Sequence, residues 1–114
     1  MNITILKGEV VEISEMARDK YGRLYLRGYM WTNNISWDNR EENARVDFYV
    51  WDHPHINLVK FKENFLNQKA YLIGYEKHVH NGNLLIIEKA ILLSELENKN
   101  ETEEISNLLW KVFG

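Results

Sequence analysis

The chain has no cysteine, which excludes disulfides, thiolate metal sites and cysteine nucleophiles. No apolar run approaches the roughly 18 residues that a membrane span needs. The N-terminal stretch MNITILKGEVV reads as a strand and carries no signal-peptide pattern. A soluble cytoplasmic protein with no membrane partner is therefore expected. There is no internal repeat and no low-complexity tract. There is also no excess of positive charge: the formal net charge is −3, which at first argues against a nucleic-acid partner. The distribution changes that reading. Residues 94–114 hold two lysines against five glutamates, and the other 93 residues balance 12 basic against 12 acidic side chains. The acidic excess sits wholly in the tail. A neutral body can present one basic face, although it cannot be a strong polyelectrolyte binder.

Machinery for catalysis is equally scarce. No glycine-rich phosphate loop, Ser-His-Asp order or nucleophile elbow is present, and the carboxylates are mostly isolated. Four histidines come in two pairs, His53 with His55 and His78 with His80. Neither pair has a cysteine or a suitably spaced carboxylate to complete a four-ligand set. No enzyme activity, cofactor or metal is expected.

What is present is an alternation. In Arg23 to Asn33, the residues Arg23, Tyr25, Arg27, Tyr29 and Trp31 alternate with Leu24, Leu26, Gly28, Met30 and Thr32. A strand sends successive side chains to opposite faces. One face is then apolar and small, as a core requires. The other interleaves guanidinium with aromatic ring, which suits a single-stranded nucleic acid whose bases stack on rings and whose phosphates meet cations. Arg45 to Trp51 repeats the pattern, with Val46, Phe48 and Val50 inward and Arg45, Asp47, Tyr49 and Trp51 outward. An ordinary strand covering a neighbouring subunit carries the same rings, so the alternation alone leaves both readings open.

The remaining segments give an element order. Ile3 to Ile13 reads as a first strand, bent or bulged at Gly8. Ser14 to Gly22 is a polar connection, and Asn34 to Ala44 reads as a long exposed loop containing Trp37. Pro54 suits the first turn of a helix that runs to Asn67, with Leu58, Phe61 and Phe65 at helical spacing. Lys69 to Val79 is a fourth strand, in which Tyr75 and Lys77 extend the candidate binding track. Asn81-Gly82 is a strong hairpin signal, and Asn83 to Leu93 is a fifth strand. After a polar linker from Glu95, Asn100 to Glu103 has capping-box spacing. Ile105, Leu108, Leu109 and Val112 then line one face of a short helix. The expected domains are 1–94 for the barrel and 95–114 for an acidic linker and amphipathic helix.

Three strands, a helix and a hairpin is the order of the OB-fold, a five-stranded Greek-key barrel. Several runs carry a further likeness: Ile3-Thr-Ile-Leu-Lys-Gly8, Thr32-Asn-Asn-Ile-Ser-Trp37, Phe48-Tyr-Val-Trp-Asp52 and Ala70-Tyr-Leu-Ile-Gly74. Over roughly residues 3–93 the chain resembles a divergent member of the bacterial single-stranded-DNA-binding protein family. That resemblance implies sequence-independent binding of single-stranded DNA in replication, repair or recombination, with RNA an alternative ligand. It implies stacking roles for Trp37 and Trp51. The family's second stacking tryptophan would fall near Arg45, its hairpin tip is longer, and its acidic tip ending in Pro-Phe is replaced here by Trp110-Lys-Val-Phe-Gly114.

The first strand is apolar on both faces, with Ile3, Ile5 and Val11 on one and Leu6 and Val10 on the other. That predicts a subunit contact and a homodimer or homotetramer. The expected nucleic-acid residues are Arg23, Tyr25, Arg27, Tyr29, Trp31, Trp37, Arg45, Tyr49, Trp51, Tyr75 and Lys77, with Arg23, Arg27 and Arg45 as the phosphate partners. The competing reading is an OB-fold interaction module whose aromatic face docks a protein.

Overall fold

The computed structural model describes residues 3–35, 41–80 and 82–96. Its elements are β1 (Thr4–Ile13), β2 (Ala17–Arg18), β3 (Leu24–Ile35), β4 (Glu41–Trp51), α1 (Leu58–Phe65), β5 (Lys69–Val79), β6 (Gly82–Leu92) and α2 (Leu93–Leu96). The strands form one sheet in the order β1-β5-β6-β4-β3-β2, and β1 also pairs with β3. That second pairing closes the sheet. With β2 only two residues long, five long strands make the barrel. All pairings are antiparallel except β4 with β6.

β1 closes the barrel because it belongs to both halves. Thr4 to Glu9 pair with β5, and Gly8 to Ile13 pair with β3. Gly8 is paired on both sides, and an added Cβ would collide with the Trp31 carbonyl. Gly28 and Gly74 are in the same situation, facing the carbonyls of Glu12 and Ile86. Close backbone approach at barrel corners is the usual reason for glycine in a strand. The expected irregularity in β1 lies at Val10–Glu12 rather than at Gly8.

The inward faces follow the alternation. Leu26, Met30, Thr32, Phe48 and Val50 are buried, with Val10, Leu72, Leu85 and Ile87 completing the wall. The Thr32 hydroxyl donates to the Ala44 carbonyl at 3.2 Å, so its burial leaves no orphan donor. Helix α1 plugs one end of the barrel. Its buried residues are Leu58, Phe61 and Phe65, and Phe61 meets Phe48 edge-on at 6.1 Å. An eight-residue helix is not stable alone. Burying three large side chains contributes on the order of 5–9 kcal/mol, which outweighs that deficit.

Four boundaries differ from the sequence reading. Pro54 is not in the helix: His53 and Ile56 exchange backbone hydrogen bonds across a tight turn that Pro54 enters. Asn57 is the cap, its side chain accepting from the Lys60 amide at 3.1 Å. The polar stretch expected as a loop is largely ladder, since β3 and β4 stay paired out to Ile35 and Glu41. The connection after β1 contains β2, which pairs with Leu24 and Tyr25. Finally, Leu93–Leu96 is a helical turn rather than strand end and linker, and it packs against β5 and β6. The expected amphipathic helix over 101–112 lies outside the described residues.

Candidate nucleic-acid interface

The register of β3 and β4 sets the outer face row by row. Tyr25 pairs with Trp51, Arg27 with Tyr49, Tyr29 with Asp47 and Trp31 with Arg45. The sheet continues through β6 to β5. Tyr49 pairs with Ile86 and Ile86 with Tyr75; Asp47 pairs with Leu84 and Leu84 with Lys77. Cross-strand partners share a face. The rows Arg27-Tyr49-Ile86-Tyr75 and Tyr29-Asp47-Leu84-Lys77 therefore run across four strands on one surface, opposite the core. Ten of the eleven sequence-predicted residues belong to this surface or to its edge at Arg23. Trp37 lies outside the described residues.

The rings are organised among themselves. Tyr25 stacks on Tyr49 with centroids 5.6 Å apart and planes 13° from parallel. Trp51 tilts against both, at 5.5 Å and 5.6 Å. Trp31 stands edge-on to Tyr29 at 6.4 Å and is 43% exposed, the most open of the sheet-face rings in the set. The cations also lie on rings. Arg23 is 5.8 Å from both Tyr21 and Trp51, and Arg45 is 3.9 Å from Tyr29.

Asp19 fixes the edge of this face and was not legible as a site residue. One carboxylate oxygen accepts from the amides of Tyr21 and Arg23 at 2.8 and 2.9 Å. The other accepts from Arg23 Nε and from Trp51 Nε1, both at 3.0 Å. Desolvation pushes the Asp19 carboxyl up. The hydrogen bonds from the Arg23 and Tyr21 amides and the Trp51 and Arg23 side chains outweigh it, so the pKa lies below its ordinary value. The sequence signal was turn chemistry, an aspartate two and four residues before Tyr21 and Arg23. Tyr21 itself, 73% exposed, adds a ring the alternation did not count because it lies in that turn.

Beside the face lies an open groove of about 590 Å³ between the β3–β4 surface and the tip of the β5–β6 hairpin. Tyr29, Tyr49, Arg45 and Leu84 line it, together with Val79 and His80 from the hairpin tip. Glu12 and Asp47 also face it, so its charge is mixed. Among the described residues no group of three or more His, Cys, Asp or Glu side chains is placed to hold a metal ion. No helix among them is long and apolar enough to cross a membrane.

The closed barrel, the helix between its third and fourth long strands and the terminal hairpin define an OB-fold. Solved structures bear this out. PriB from Ralstonia solanacearum superposes with a TM-score of 0.68 at 10% identity, covering 82% of this chain and 98% of its own. A small single-stranded DNA-binding protein from Streptomyces coelicolor gives 0.64 at 8% identity, covering 82% and 94%. The dimeric N-terminal domain of PriB from Thermoanaerobacter tencongensis gives 0.55 at 10% identity, covering 81% and 96%. No protein-family model and no curated protein matches the sequence.

Proposed function

We propose that the chain binds single-stranded DNA without base specificity, along the outer face of β3 and β4 and across to Tyr75 and Lys77. The observation that carries this reading is the row structure of the face. Rings and cations from β3, β4 and β5 share the outer face of the barrel, beside an open groove. Each base stacked on a ring contributes about 1–3 kcal/mol, so two or three rings give useful affinity on a body with no net basic charge. Arg23, Arg27 and Lys77 meet phosphates, and Trp37 joins the stacking set. The OB-fold shared with the single-stranded DNA-binding protein of Streptomyces coelicolor supports the reading.

On this account the protein is a binding module in replication, repair or recombination and not an enzyme, and it works in the cytoplasm. The OB-fold domain, expected to end at residue 94, is extended here to the end of α2, because Leu96 is buried and α2 packs against β5 and β6; the acidic tail follows it. It assembles as a homodimer or homotetramer; the N-terminal domain of PriB from Thermoanaerobacter tencongensis is dimeric.

The test is a tryptophan fluorescence titration with oligo-dT. Trp31 and Trp51 both sit on the proposed face, so emission should quench saturably as bases stack. Unchanged emission with no change in hydrodynamic size would favour a protein-docking role for the rings. Repeating the titration with oligo-U ranks RNA against DNA.

A further inference from the structure

Arg45 differs from the other arginines of the face. Its guanidinium carbon lies 3.9 Å from the Tyr29 ring centroid, whereas Arg23 lies 5.8 Å from each of its rings. A guanidinium pointing end-on would put a nitrogen between that carbon and the ring and hold the carbon further away. At 3.9 Å the planar group rests on the ring. Its Nε also donates to Asp47 Oδ1 at 3.0 Å, and Asp47 is the cross-strand partner of Tyr29. Tyr29 from below and Asp47 from the side therefore fix the plane. The side chain remains 55% exposed and lines the groove together with His80 and Leu84.

We propose that Arg45 is a stacking platform for one base, seated in this groove, rather than a phosphate partner; the inference rests on the single-strand binding proposed above. Two physical points support it. A guanidinium is planar and delocalised and stacks where an ammonium cannot. A phosphate brought to Arg45 would also approach the Asp47 carboxylate, which is 55% exposed, already meets that charge and would repel the newcomer, whereas the Asp19 carboxylate beside Arg23 is only 14% exposed. A base has no such conflict, and every base presents a face that can stack, so the site is sequence-tolerant.

The experiment compares Arg45→Lys, Arg45→Ala and Arg45→Tyr in the full chain. Oligo-dT is titrated at several salt concentrations, and thermal unfolding is recorded for each variant. The platform reading expects Lys and Ala to lose affinity by the same factor, roughly 5- to 150-fold for one stacked base. Tyr, which is planar and uncharged, loses less affinity than either. The slope of log K against log salt stays the same in all three. Lys binding like the unaltered chain, with the slope shallower by about 0.7 in Ala, would overturn it and return Arg45 to the phosphates. Absence of oligo-dT binding by the unaltered chain is a different result, which removes the proposed function and this inference with it.

Discussion

Trp31 and Trp51 look equivalent in the alternation, yet their surroundings differ. Trp51 is half-buried, donates to Asp19 and tilts against two tyrosines. Trp31 meets Tyr29 edge-on and is 43% exposed. Trp31→Ala is therefore the cleaner probe: it should weaken oligo-dT binding by about 1–3 kcal/mol and leave the unfolding temperature unchanged. Trp51→Ala would mix lost stacking with lost stability. Asp19→Asn tests the edge. Because the folded pKa of Asp19 is lowered from 3.8, its contribution to stability is complete above that ordinary value. It fades as pH falls through the lower folded value. The unfolding temperatures of Asp19→Asn and the unaltered chain should differ at pH 7 and converge well below pH 4. A difference that persists undiminished at low pH would show that the carboxylate's charge is not what matters. Which side chains face outward was legible from parity alone. Which of them are engaged in local contacts was not, because the Asp19–Trp51 bond joins residues 32 apart in sequence.

At the scale of elements, legibility tracked how strongly burial constrained the pattern. β5 has the bounds the sequence suggested, because Ala70 to Gly74 are all buried and the hairpin signal at Gly82 ends the strand pair. Gly82 takes φ +135, a conformation that other residues rarely adopt. The β3–β4 ends are not legible in the sequence for the converse reason. β1 pairs with β3 only as far as Thr32, and β6 meets β4 only from Asp47. Beyond those points only β3 and β4 remain paired, and the sequence there keeps no apolar alternation to signal a strand. Pro54 misled because a proline opens a turn as readily as a helix. The barrel's corners give the sharpest prediction here. Gly28→Ala places a Cβ against the Glu12 carbonyl and the Phe48 ring. It should cost about 1–3 kcal/mol or more, the range for overpacking, read as a fall in the denaturation midpoint. Full stability in that variant would mean that β1 and β3 approach less closely than described.

For the whole molecule, the distribution of charge decides the kind of binder. The face and its edge present Arg23, Arg27, Arg45 and Lys77. Arg23 and Arg45 are ion-paired to Asp19 and Asp47, and Glu12 lies beside the groove. Few phosphates can be neutralised, so log K should fall with log salt at a slope on the order of −1 to −3, at about −0.7 per phosphate on a single strand. A much steeper slope would point to a basic track elsewhere on the surface. The central claim is that the strand lies on the outer face of β3 and β4 and extends to β5. The most direct measurement is a backbone amide chemical-shift map of the full chain titrated with oligo-dT. Shifts should concentrate over residues 23–31, 45–51 and 75–77, with α1 silent. A map confined to α1 and the β1–β5 side would contradict the account.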